Sequence, residues 1–345
     1  QFIKNLKIEM KILVTGASGF IGSHLCETLL SKGYKVKAFV RYTSKQNIGW
    51  LKDINKKNLE IVFGDIVDFD SVKNAVEGCD YIFNLAASIS VPYSFKNPQT
   101  FIDTNIIGGL NILRTSIIFK KKIKKIIQIS SSEVYGNNLF KTKKILKEDT
   151  VTIAESPYAA TKISSDNIAI SMHQSSEVPV IVARPFNTFG PRQSLRAVIP
   201  TLITQFLSLN QNNNDVIIGN LKTSRDFVYV QDTVDGLVSL LKPSCKSGNI
   251  YNICTEKSFT INEIIKNLKI ISKKNPKIII SKKRFRGAAE VFDLRGSNRK
   301  LYSANKWTPK YKNSTGFKKA LQETYNWFKE EQNFKQYIDI KKYNF

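Results

Sequence analysis

The stretch Lys11-Ile12-Leu13-Val14-Thr15-Gly16-Ala17-Ser18-Gly19-Phe20-Ile21-Gly22 decides the fold. Five residues of β-favouring, mostly apolar character run into three glycines spaced by three, and Ile21–Ser31 then carries a helical pattern. A strand that turns sharply into a helix leaves backbone N–H groups at the helix start, where a pyrophosphate binds well. Glycine suits such a loop because the turn is tight, the backbone must approach the ligand, and helix and strand pack closely. The spacing Gly16-x-x-Gly19-x-x-Gly22 differs from the commoner Gly-x-Gly-x-x-Gly arrangement.

Outward from this loop the pattern repeats. Strands are predicted at Lys35–Arg41, Glu60–Phe63, Tyr81–Asn84, Lys125–Ser130 and Val180–Arg184. Helices are predicted at Asp70–Glu77, Gln99–Phe119 and Ser156–Ser175, the last with Pro157 in its first turn. Alternating strands and helices predict an α/β fold: a Rossmann-type, doubly wound parallel sheet. After Pro191 the alternation weakens. Helices near Pro200–Ser208 and Thr260–Ile271 mix there with short strands at Val216–Ile218, Phe227–Val230 and Ile250–Asn252. The expected organisation is an upstream extension (1–9), a dinucleotide-binding domain (10–190, with later segments returning to it), a smaller mixed α/β lobe (191–330) and a tail (331–345).

The chain has 345 residues, enough for two such parts. Cys26, Cys79, Cys245 and Cys254 lack metal or redox spacing and read as buried free thiols. With only two histidines, His24 and His173, no metal site is expected. No run of about 18 apolar residues occurs, and Gln1 to Met10 lacks the pattern of a signal peptide, so no membrane association and a cytoplasmic location are expected. Lys and Arg number 53 against 28 Asp and Glu, a net charge of +25. The lysines are spread along the whole chain, which reads as a compositional bias with solvated faces; no nucleic-acid partner is expected. Such a field still favours an anionic substrate.

Two further segments carry chemistry. Tyr158 and Lys162 lie four apart on a predicted helix and share one face. An ammonium beside a phenol is expected to lower its pKa and make it a usable base. Ser131-Ser132-Glu133-Val134-Tyr135-Gly136 follows the fifth strand. Ser131 is placed to bond the hydroxyl that Tyr158 deprotonates, and Glu133 offers a second base.

The loop spacing, followed by Ser131 and Tyr158-x-x-x-Lys162, resembles the extended short-chain dehydrogenase/reductase family. The segment around Glu133 resembles that of nucleotide-sugar 4,6-dehydratases. That resemblance implies a tightly bound, recycled NAD or NADP and a nucleotide-diphosphate sugar substrate. It implies oxidation at C4, loss of water across C5–C6 and hydride return to C6. Ser132 stands where dTDP-glucose dehydratases carry an acidic aspartate, whereas GDP-mannose dehydratases also have serine there. UDP-glucuronate decarboxylases share the serine–glutamate pair, so decarboxylation stays open, as does 4-epimerisation. A non-catalytic dinucleotide-binding regulator is the rival from another class, and such proteins usually lose the Tyr/Lys pair.

The same resemblance distributes contacts. Gly16, Ser18, Gly19, Phe20, Ile21 and Gly22 are expected at the dinucleotide, with Asp65 and Ile66 near its adenine. Leu85, Ala86 and Ala87, together with Tyr158 and Lys162, are expected at its nicotinamide half. Arg41 stands where NAD-binding relatives carry an acid, so it is a candidate partner for the 2′-phosphate of NADP. Asn187, Arg192, Arg225 and Arg286 are expected at the substrate, the arginines because a planar guanidinium pairs two phosphate oxygens. Ser90–Ser94, Asp103–Asn105 and Gly190–Thr201 resemble the dehydratases acting on nucleotide-linked N-acetylglucosamine in legionaminic acid biosynthesis. This favours GDP- or UDP-N-acetylglucosamine as substrate, then dTDP-glucose. A homodimer through helices 99–119 and 156–175 is likewise implied.

Overall fold

In a computed structural model, residues 10–120, 122–211, 214–285, 287 and 290–338 are described, without the side chains of 139, 140 and 338. The expected upstream extension (1–9), Arg286 and the end of the expected tail (339–345) lie outside them.

Seven parallel strands form one sheet: β1 (Lys11–Thr15), β2 (Lys35–Arg41), β3 (Leu59–Gly64), β4 (Tyr81–Asn84), β5 (Lys125–Ile129), β6 (Val180–Pro185) and, from the later half of the chain, Ile250–Ile253. Their spatial order is β3-β2-β1-β4-β5-β6 and then Ile250–Ile253. Both faces are covered, so the strands read as continuous apolar runs. On one face Ile12, Val14, Ala38 and Ile127 meet Leu25 and Leu29 of α1 (Phe20–Ser31), in a cluster reaching Phe189, Ile203 and Phe317 of the later half. On the other, Leu13, Phe39, Ile126 and Val182 meet Val72 of α2 (Phe69–Val76), Ile112 of α3 (Gly108–Ile118) and Ala169 of α4 (Pro157–Ser176). One-residue alternation along each strand assigns the side chains to these two cores.

The helical stretch expected at Gln99–Phe119 is present, with a change of winding inside it. Short helices cover Val91–Lys96 and Pro98–Phe101, a π-helix follows at Ile102–Ile107, and only then does α3 begin. The wider winding has a local purpose. Asn105 points inward, accepts from Ser88 N at 2.8 Å through Oδ1, and donates to Ser88 O (3.1 Å) and Thr161 Oγ1 (3.0 Å). It thereby ties the loop after β4 to α4. Residues 331–338, expected as the start of a tail, form a helix, and Tyr337 stacks on Trp50 at 6.4 Å.

Smaller elements complete the later half. Asn187–Phe189 pairs with Phe227–Tyr229, Ser224–Arg225 lies between Phe259–Thr260 and Asp293–Leu294, and Asp215–Ile218 pairs with Lys277–Ile280. All four cysteines are buried and free. No helix among the described residues is long and apolar enough to cross a membrane.

The phosphate loop rests on backbone contact. Gly16 sits at φ +64°, and a Cβ there would meet Ala86 N at 3.0 Å. A Cβ on Gly22 would overlap the Gly16 carbonyl oxygen, a backbone atom with no rotamer to yield. Gly22→Ala is therefore expected to lower Tm by on the order of 5–10 °C, read by thermal denaturation. A wild-type Tm would show that the loop tolerates the methyl.

Candidate active site

The strand order reverses between β1 and β4, so the loops after these strands part and leave a crevice at the carboxyl edge of the sheet. Thr15 stitches the two loops. Its hydroxyl donates to Asn84 Oδ1 at 2.6 Å and accepts from Ala86 N at 3.0 Å. Asn84 in turn donates to Gln128 (2.9 Å), and Gln128 to Ser165 on α4 (3.0 Å). Buried polar side chains thus link β1, β4, β5 and α4 into one frame.

The residues at the crevice fit a dinucleotide. α1 starts at Gly19 with no side-chain cap, so its first-turn N–H groups are left for an anion. Ser18, Phe20, Ile21 and the three glycines lie on this turn. Leu85, Ala86 and Ala87 follow β4 and are half-buried beside it. Asp65 caps the turn after β3 by accepting from Val67 N at 3.0 Å, and Ile66 is buried next to it. Arg41 ends β2 with an 81 % exposed side chain whose Nε lies 4.0 Å from Asp65.

Glu133 sits on a 3₁₀ turn, Ser132–Tyr135, that follows the end of β5, with Ser131 as its N-cap. The Ser131 hydroxyl accepts from Glu133 N at 3.2 Å and thereby fixes the turn that carries the carboxylate. Ser132 is buried, while Glu133 and Ser131 are half-buried. Tyr158 lies in the first turn of α4, whose N-cap Ser156 accepts from Ala159 N at 3.1 Å, with Pro157 at the helix start. Phe101 packs edge-on to the Tyr158 ring at 6.2 Å.

The expected effect of Lys162 on Tyr158 is corrected. Lys162 is buried and donates to Ile129 O at 2.8 Å, so its ammonium serves the end of β5. Burial pushes the Tyr158 phenol up to about 12. A hydrogen bond with Ser131 works against this rise, while the charges of Glu133 and Asp166 add to it. Burial pulls Lys162 down to about 8, opposed by Asp166. Within this chain, Ser131 is the group that favours an ionised Tyr158, and Asp166 the group that keeps Lys162 charged.

The substrate residues divide. Asn187 follows β6, and its Oδ1 is buried without a hydrogen-bond partner among the described residues. Arg225 is buried and donates to Ser224 O at 2.8 Å. Arg192 departs from expectation. Its guanidinium grips Glu27 on α1 with two bonds, at 2.7 and 2.9 Å, and also reaches Ser23. With its fork occupied by a carboxylate, Arg192 latches the later half of the chain to α1. Sequence reasoning passed over Asp166, Arg184 and Asn105 in the site. Asp166 lies eight residues after Tyr158, a spacing that keeps Tyr158, Lys162 and Asp166 on one helix face.

Fold and site together define an extended short-chain dehydrogenase/reductase of the nucleotide-sugar dehydratase and epimerase class. The chain belongs to the family described as GDP-mannose 4,6 dehydratase, whose profile matches residues 13–320. It is 33 % identical over 278 residues to a dTDP-D-glucose 4,6-dehydratase of Dictyostelium discoideum, covering 76 % of this chain and 62 % of that one. A UDP-N-acetyl-alpha-D-glucosaminuronate decarboxylase of Bacillus cytotoxicus is 29 % identical over 338 residues, covering 94 % and 100 %. The solved structure of a UDP-glucuronic acid 4-epimerase from Bacillus cereus, in complex with UDP-glucuronic acid and NAD, superposes with a TM-score of 0.82 at 28 % identity, covering 93 % and 99 %. These relatives are named for three different reactions.

The buried lysine makes a pH prediction. Lys162 is charged below about pH 8 and neutral above it. If its ammonium holds the dinucleotide, affinity falls severalfold between about pH 7 and about pH 9.5. A fluorescence titration checks this, with Lys162→Met expected to flatten the profile. A flat wild-type profile would remove Lys162 from the dinucleotide site.

Proposed function

We propose that this protein is a nucleotide-sugar 4,6-dehydratase acting on GDP- or UDP-linked N-acetylglucosamine. The observation that carries the reading is Glu133. It is a carboxylate on the turn after β5, held by Ser131 and near enough to Tyr158 to raise its pKa. A 4-epimerase needs a base at C4 only, and a dehydratase needs a second base for C5.

In this reading Tyr158 reacts in its ionised form, which the Ser131 hydrogen bond favours, and takes the proton of the C4 hydroxyl. A bound nicotinamide would supply the hydride acceptor for C4 and the hydride donor for C6. The resulting C4 ketone acidifies the C5 proton, and Glu133 removes it. Protonated Glu133 then gives that proton to the C6 hydroxyl, which leaves as water; this covers the acid function that Ser132 lacks. Tyr158 returns its proton to C5 as C6 is reduced, so the product differs from the substrate by one water. Asn187 and Arg225 hold the diphosphate in this reading.

NAD is the dinucleotide we favour. The Bacillus cereus epimerase structure is in complex with NAD. The carboxylate of Asp65 beside Arg41 offsets the charge that a 2′-phosphate would need. The reading also includes a homodimer through the 99–119 and 156–175 segments. Ile102, Ile107, Ile117 and Ile118 are 38–55 % exposed along the first of these, an apolar row suited to a second copy. Light scattering should then give twice the chain mass, and a monomer at micromolar concentration would sink this part.

Incubation with a panel of nucleotide sugars, followed by product mass, tests the activity. Loss of one water is expected, with NAD released on acid treatment. Loss of carbon dioxide from UDP-glucuronate, or an unchanged mass with altered stereochemistry, would overturn the reading. Glu133→Gln is expected to slow dehydration by about 10²–10⁴-fold while oxidation at C4 persists. Full dehydration by that variant would remove Glu133 from the mechanism.

A further inference from the structure

The two halves of the acid–base machinery ride on different elements. Tyr158 and Lys162 are on α4, and Glu133 is on the turn after β5. Their separation decides whether one bound sugar meets both. A buried chain of polar side chains joins these elements and runs on to β6 and Ile250–Ile253, and no step of the proposed reaction uses it.

The chain begins at Asp166, two turns along α4 from Tyr158. Asp166 Oδ2 accepts from Ser130 Oγ at 2.9 Å, at the end of β5, and from Arg184 Nε at 3.0 Å, on β6. Arg184 Nη1 donates to the Tyr135 hydroxyl at 3.0 Å, and its guanidinium lies 5.0 Å from the centre of the Tyr135 ring. Tyr135 closes the turn that holds Glu133 and donates to Asn252 Oδ1 at 2.8 Å on the outermost strand, Ile250–Ile253. Asn252 N donates in turn to Glu148 Oε1 at 2.9 Å. Ser130, Tyr135, Asp166, Arg184 and Asn252 are each at most 4 % exposed. A second bond, from Lys162 to Ile129 O, pins the same end of β5 to α4.

A buried ion pair is a poor way to gain stability, because desolvating both charges offsets most of their attraction, and apolar packing often serves as well. Its distinctive property is directionality: each bond admits one arrangement of the elements it joins. We infer that Asp166, Arg184 and Tyr135 are positioning residues that set the distance between Tyr158 and Glu133. They would hold the turn of Glu133 in register with the helix of Tyr158, so that oxidation at C4 and proton removal at C5 act on one bound sugar. The inference rests on the dehydratase reading.

Tyr135→Phe in the full-length enzyme tests it. The substitution keeps the ring and removes the hydroxyl between Arg184 and Asn252. The Glu133 turn then loses its tether to Arg184 and Asn252, while the bonds of Ser131 to Glu133 N and to Tyr158 remain. The expected result is a kcat lowered on the order of tenfold to a hundredfold with KM within about twofold. Oxidation would outrun elimination, so absorbance at about 340 nm from reduced nicotinamide rises in the steady state. Arg184→Lys, which keeps the charge beside Asp166 and loses the planar fork, should behave alike; it decides the matter alone if Tyr135→Phe fails to fold. Wild-type rates, or a slowing without the rise at 340 nm, would overturn the inference. Failure of the dehydratase reading shows in the wild type, as a product that has not lost water; failure of this inference shows only in the variants.

Discussion

Parallel pairing sends every strand of the seven-stranded sheet out at the same edge, and the site is built from what leaves there. Gly16 follows β1, Leu85 follows β4, Ser131 follows β5 and Asn187 follows β6. These residues are far apart in sequence and converge because their strands are neighbours in one sheet. The order reverses between β1 and β4, which opens the crevice. Thr15, Asn84, Gln128 and Ser165 then stitch across it with buried hydrogen bonds. Such a chain is worth keeping only if every member is satisfied, since an orphaned buried amide costs about 1–3 kcal/mol.

Burial governs the chemistry of the site. Tyr158 is driven up and Lys162 down, each towards its neutral form, because both sit in low dielectric. The counterweights are specific side chains: Ser131 for Tyr158 and Asp166 for Lys162. Asp166 is itself pushed up by burial and held down by Arg184. Tyr158, Lys162 and the Asp166–Arg184 pair therefore form one electrostatic unit, in which a change at any member is felt at the others.

The later half of the chain is joined to the sheet more closely than its irregular pattern suggests. Ile250–Ile253 becomes the outermost strand, Arg192 clasps Glu27 on the phosphate-loop helix, and Tyr337 packs on Trp50. Trp50 N itself donates to Ser18 O at 3.2 Å. The glycine loop is thus supported from behind by residues near the end of the described chain. Latches of this kind leave no periodic trace in sequence, since one arginine and one glutamate 165 residues apart look like any other surface charges.

Local chemistry was legible from the residues alone. The glycine loop, the strands β1, β2 and β4 and the helix of Tyr158 follow from periodicity, glycine spacing and capping, which act within a few residues. So does the grouping of Tyr158 with Lys162 on one helix face. What Lys162 does there was decided by the tertiary structure, because its acceptor, Ile129 O, belongs to another element. The π-helix at Ile102–Ile107 was decided the same way, by Asn105 turning inward to bond Ser88 and Thr161. Arg192 offers the sharpest contrast: its sequence neighbours suggest a phosphate ligand, and its spatial neighbour is a carboxylate. Spacing along a chain determines which residues share a face; only packing determines which charge a guanidinium meets.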